Sequence, residues 1–155
     1  FMGNSGSDPF YTWGALLLLP AVEELLDVDP AGGLRFGSAY LEKESVLQGV
    51  QIAGAEYSIT ASKAKLEIQK DGVLLLDAAP GINVRRFMMD KDSVSCLIKG
   101  EGSTRFKLGS FKPGQTVRLQ VEGKAAGELN CDALGRLSVE LELDGAYREY
   151  RFEIG

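Results

Sequence analysis

The segment Leu137–Asp144 alternates without a break. Leu137, Val139, Leu141 and Leu143 fall on one side, and Ser138, Glu140, Glu142 and Asp144 on the other. Successive side chains of an extended chain point to opposite faces, so a period of two marks a strand with one face in a core and one in water. Wound as a helix, the same residues would scatter leucines and acids around the whole circumference. A chain carrying such a strand needs an antiparallel sheet with one wet face. Asp144-Gly145 follows directly and predicts a tight hairpin into Tyr150, Phe152 and Ile154, because Asp-Gly accepts the positive φ angles of a two-residue turn. Asp71-Gly72 predicts an equivalent hairpin joining Ala64, Leu66 and Ile68 to Val73–Leu76.

The same reasoning places strands around Val46–Ile52, Glu56–Thr60, Ile82–Met89, Ser93–Lys99, Thr104–Leu108, Thr116–Glu122 and Gly127–Cys131. Turns are predicted at Pro80-Gly81, Asp90-Lys91-Asp92, Lys99-Gly100-Glu101-Gly102 and Lys112-Pro113-Gly114. Short strands at this spacing, about ten of them, specify an antiparallel β-sandwich from Leu34 onward. No repeat of fixed period is present.

The stretch ahead of it has a different character. Asp8 suits a helix N-cap and Pro9 the first helical position, where a missing N–H is no loss. Trp13, Leu16, Leu17 and Leu25 share one helical face. Leu18, Leu19, Ala21, Val22 and Leu26 carry apolar character around most of the rest, as in a helix buried on several sides. Pro20 predicts a kink, and the breaker cluster Asp27–Gly33 predicts the boundary. The expected fold is therefore mainly β, an antiparallel β-sandwich over 34–155 preceded by one apolar α-helix within 1–33. The apolar run Trp13–Leu19 stops at Pro20 and Glu23-Glu24, too short to cross a membrane. The glycine- and serine-rich start, Phe1 to Ser7, lacks the charged and apolar regions of a signal peptide. An aromatic first residue leads us to expect a segment of something longer.

Charge and residue types narrow the function. The net charge of −5 argues against non-specific binding to nucleic acid or to an anionic membrane, since both need a cationic surface. The sequence contains no histidine, which removes serine–histidine and cysteine–histidine catalysis from this chain. Cys96 shares a strand face with Val94 and Ile98, and Cys131 follows Leu129 at strand spacing. Both are expected to be buried apolar positions, with a disulfide between them left open. Two cysteines without further soft ligands make no zinc site, so no metal and no cofactor are expected. Glu140 and Glu142 belong to the solvated face. The glycines sit at turns, with no strand–glycine-loop–helix arrangement for phosphate.

Ser7-Asp8-Pro9-Phe10-Tyr11-Thr12-Trp13-Gly14-Ala15-Leu16, continued by Glu23-Glu24-Leu25 and Gly33-Leu34-Arg35-Phe36-Gly37, resembles the end of the catalytic domain in inverting (α/α)6-barrel glycoside hydrolases. It is most similar to the family 63-like group, which includes processing α-glucosidases and mannosylglycerate hydrolases. The resemblance implies that residues 1–33 close a helical barrel and that residues 34–155 form an accessory β-sandwich. It implies action on α-linked sugars, with the remainder of a glycosidase catalytic domain and a carbohydrate substrate as partners. Asp8, Tyr11 and Trp13 become candidate substrate-binding residues, with Asp8 better suited to capping. No catalytic residue is assigned, because inverting hydrolysis needs an acid and a base and no acidic residue precedes Asp8. The alternative is a stand-alone β-sandwich that binds carbohydrate or protein without catalysis.

Overall fold

The computed structural model describes residues 25–38, 44–62, 64–79 and 81–155. Their regular structure is all strand, apart from helical geometry at Leu25. In chain order the strands are β1 (Leu26–Val28), β2 (Leu34–Gly37), β3 (Ser45–Ile52), β4 (Ala55–Ala61), β5 (Leu66–Lys70) and β6 (Val73–Ala78). They continue as β7 (Asn83–Met89), β8 (Ser93–Lys99), β9 (Glu101–Leu108), β10 (Thr116–Val121), β11 (Lys124–Asn130), β12 (Leu137–Asp144) and β13 (Arg148–Ile154). All pairings are antiparallel, and they build two sheets. One has seven strands in the order β1-β2-β7-β8-β13-β10-β11, the other six in the order β12-β9-β6-β5-β4-β3.

The alternating patterns bury one face of each sheet against the other, as expected for a β-sandwich. Phe106, Leu108, Leu76, Leu66, Ile68 and Ile59 of the six-stranded sheet share one cluster with Phe152, Val117, Val94 and Ile98 of the seven-stranded sheet. Each such side chain contributes about 1.5–3 kcal/mol by leaving water. Glu140 and Glu142 are exposed and Leu141 and Leu143 buried, as the alternation requires. Cys96 and Cys131 are both buried, and both are free thiols.

The hairpin at Asp71-Gly72 has the geometry its residues ask for, with φ of 50° and 76° joining β5 to β6. Asp144-Gly145 does not make a hairpin. It carries the chain from β12 in one sheet to β13 in the other, so it is an arch over the end of the sandwich. The physical reason lies in the partners: β12 pairs along its whole length with β9, and β13 is taken between β8 and β10. Asp-Gly specifies a tight reversal but not the sheet in which the next strand lands. The predicted turn at Lys99–Gly102 reduces to Gly100, where β8 passes directly into β9 and so from sheet to sheet. A Cβ there would lie 2.8 Å from the Leu143 side chain.

A second correction concerns the expected helix. Leu26, assigned to its apolar face, begins a strand, and β1 pairs with β2 in the register Leu26↔Phe36 and Val28↔Leu34. The expected division at Gly33/Leu34 therefore falls inside a strand–turn–strand unit. The turn is held by Asp29, whose carboxylate accepts from Ala31 N at 2.9 Å, and by Gly32 and Gly33 at positive φ. The remainder of the expected helix, and with it Asp8, Tyr11 and Trp13, lies outside the described residues.

The two long sides of the sandwich differ. On one, β11 and β12 follow each other in the chain and approach within 8 Å between Cα atoms. On the other, the three-residue β1 stands opposite the eight-residue β3, and a groove of about 410 Å³ opens between the sheets.

Candidate functional site

The outer face of the six-stranded sheet carries one row of facing residues across all its strands. The pairings Ser138↔Lys107, Lys107↔Asp77, Asp77↔Glu67, Glu67↔Thr60 and Thr60↔Val46 run from β12 to β3. These positions share a face because strand side chains alternate and the register is continuous along the row. A cleft of about 330 Å³ opens on it, lined by Asp77, Arg105, Lys107 and Glu140 with the small residues Ala64, Ala78 and Ala79. A smaller one of about 110 Å³ lies further along, among Val46, Gln48, Ser58, Thr60, Glu67 and Gln69.

Two carboxylates face each other at the centre of this row. Glu67 and Asp77 are direct cross-strand partners, an arrangement that destabilises a sheet unless the charges are compensated. Each has its own lysine: Lys65 Nζ lies 2.5 Å from Glu67 and Lys107 Nζ lies 3.7 Å from Asp77. The hydrogen bond from Lys65, aided by one from Gln69, holds the Glu67 carboxyl below the usual carboxylate range. Glu140 accepts from Ser103 Oγ at 2.8 Å and stands opposite Arg105.

This chemistry decides what the face can do. A general acid at neutral pH needs a carboxyl pushed upward by desolvation. Among the described residues, the carboxyls of Glu67, Asp132 and Asp144 are held below the usual range. Lys65 holds Glu67 down, the Arg136 backbone N–H does so for Asp132, and Arg148 for Asp144. The face is a set of hydrogen-bond donors and acceptors of both signs, held in place by the register of the sheet.

Among the described residues no group of Cys, Asp and Glu side chains is placed to hold a metal ion. The aromatic side chains described are elsewhere. Phe36, Phe87, Phe106, Tyr150 and Phe152 are in the core. Tyr147, in the arch after β12, lies under the cations of Arg85 and Lys99, with centroid distances of 5.0 and 5.8 Å. Sequence reasoning placed the site at Asp8, Tyr11 and Trp13 and missed this row. Its residues are far apart in the chain, and only the register brings them together.

Fold and face together define a β-sandwich-like domain with a charged, solvent-open cleft. No family model matches the chain, and no curated protein does. Among solved structures, the secreted serine protease VesC from Vibrio cholerae aligns with 12% identity over 87% of this chain. The chain spans 47% of that protein, and the TM-score of 0.19 carries neither fold nor function across.

Proposed function

We propose that this chain is the C-terminal portion of a glycoside hydrolase acting on α-linked sugars. The segment containing Asp8, Tyr11 and Trp13 contributes one wall of the sugar pocket, and the β-sandwich serves as a stabilising accessory domain. The resemblance carried by residues 7–37 supports the reading. The observation that weighs most is the Glu67–Asp77 pair. These carboxylates face each other, yet each is neutralised by a lysine and Glu67 is biased toward the ionised form. On this reading the acid and the base belong to residues upstream.

The test has two arms. The purified chain is expected to leave aryl α-glucosides, aryl α-mannosides and disaccharides unhydrolysed, and turnover by this chain alone would overturn the reading. The reading frame upstream of Phe1 is expected to encode a helical domain carrying an acid and a base, and a frame without one overturns it equally.

A second reading rests on the cleft between Asp77, Arg105, Lys107 and Glu140. Its close-set acceptors and donors suit a sugar-binding module that acts without catalysis. That reading requires saturable binding of an oligosaccharide by this chain, weakened by Arg105→Ala.

A further inference from the structure

A sheet edge exposes unpaired backbone N–H and C=O groups, and proteins protect such edges with charges, proline or very short strands. Of the four edge strands in the two sheets, β1 has three residues and carries Asp27. β11 carries Lys124 and Glu128, and β12 carries Glu140, Glu142 and Asp144. β3 is different. Its eight residues, Ser45–Ile52, include no charged side chain and no proline, a bulge at Gln48-Gly49 being its one protective feature, and among the described residues it pairs only with β4. Its inward side chains Leu47, Val50 and Ile52 pack on the core yet remain half-covered, because among the described residues only the short β1 stands across the seam. The groove there is walled by Ile52, Tyr57, Phe87 and Leu34, with Val28, Met88 and Met89 exposed at its rim.

We propose that this protein self-associates by pairing β3 antiparallel with β3 of a second copy, extending the six-stranded sheet across a two-fold axis. The occupant follows from self-complementarity. A two-fold interface sets a surface against itself, and doing so with β12 would oppose acid to acid. In β3 the single irregularity is a bulge at Gln48-Gly49, with Gly49 at φ 70°. An axis through that bulge sets Leu47 of one copy against Val50 of the other and Val46 against Gln51, so inward faces inward and outward faces outward. Every opposed pair in this register is neutral. The half-covered row Leu47, Val50 and Ile52 then continues into its own image, and the two cores share one side wall.

The experiment is sedimentation and amide hydrogen exchange on the full chain across a wide concentration range. A monomer–dimer equilibrium is expected, with protection of the β3 amides that rises with concentration. Val46 and Gln51 are exposed, so Val46→Lys with Gln51→Lys leaves the monomer fold intact, as its circular dichroism and melting temperature will show. That variant places like charges opposite each other twice across the axis and weakens the dimer by about tenfold or more. A mixture with Val46→Glu, Gln51→Glu restores association as a heterodimer. A monomer at every concentration overturns the proposal, and so does a dimer indifferent to both variants. Protection of β3 that does not depend on concentration, the sign of cover by another part of the same chain, overturns it too.

Discussion

Phe106 of β9 and Phe152 of β13 stack across the space between the two sheets, with ring centroids 6.3 Å apart and planes within 9° of parallel. Both are fully buried, and each belongs to a different sheet, so the pair joins the layers at their centre. Truncation leaves a cavity that the surrounding strands cannot close. Phe106→Ala is expected to cost about 3–5 kcal/mol and Phe106→Leu markedly less. Urea unfolding of the two variants measures this, and near-equal losses would place the pair outside the cooperative core.

Two glycines at positive φ separate backbone strain from steric exclusion. Gly54 (φ 82°) turns between β3 and β4 with open space where a Cβ would go. Gly135 (φ 70°) lies against the backbone, and a Cβ there would sit 2.1 Å from the Phe111 carbonyl oxygen. Gly54→Ala should cost only the left-handed strain, about 1 kcal/mol. Gly135→Ala must also push two backbone segments apart, breaking the 3.1 Å bond from Phe111 N to Gly135 O, and should destabilise by about 3 kcal/mol. Thermal melts of the pair check the order.

The Lys65–Glu67 contact makes a pH-dependent contribution whose sign is fixed. Glu67 is held below its ordinary value, so its contribution is present above about pH 4.3, the unfolded value, and is lost as pH falls through the lower folded value. Lys65 is raised by the same hydrogen bond, so its share is present below about pH 10.4 and lost only at more alkaline pH. Both side chains are partly in water, and screening limits the effect to about 0.5 kcal/mol. Lys65→Met should lower stability by that amount at neutral pH, leave Asp77 facing a less compensated Glu67, and converge with the parent in strong acid. Denaturation curves at neutral and acid pH test it.

The thiols should be inert in the folded protein. Burial pushes the Cys96 thiol far above its usual range, and burial together with Asp132 raises that of Cys131. Thiolate is the reactive form, so a disulfide-exchange reagent at mildly alkaline pH should label neither at an appreciable rate. Denaturant without reductant should release both. A single titrating thiol, or none, would contradict two free cysteines.

Strands that alternate strictly, such as β8 and β12, are legible in sequence because pattern and burial share one period. β1 is not. Its first residue, Leu26, is the last of the apolar run assigned to a helix, and a three-residue segment has no period to read. Asp144-Gly145 was legible as a reversal and illegible as an arch, since the destination of β13 depends on the edges of β8 and β10. The charged row is hidden for a related reason. Glu67 and Asp77 are ten positions apart in sequence and become neighbours only through the bulged register of β5 and β6, between Ile68 and Gln69. Asp8, Tyr11 and Trp13 carried the sequence-based site and lie outside the described residues.

The placement of β13 between β8 and β10 bears on how the protein is made. A ribosome delivers the strands in order, and the seven-stranded sheet cannot join its β1-β2-β7-β8 part to β10-β11 until Arg148–Ile154 has emerged. Until then two half-sheets carry unpaired central edges, the kind of exposed strand that draws aggregation and chaperone capture. A nascent chain stalled before Arg148 should therefore remain protease-sensitive, and acquisition of resistance should coincide with release of that strand.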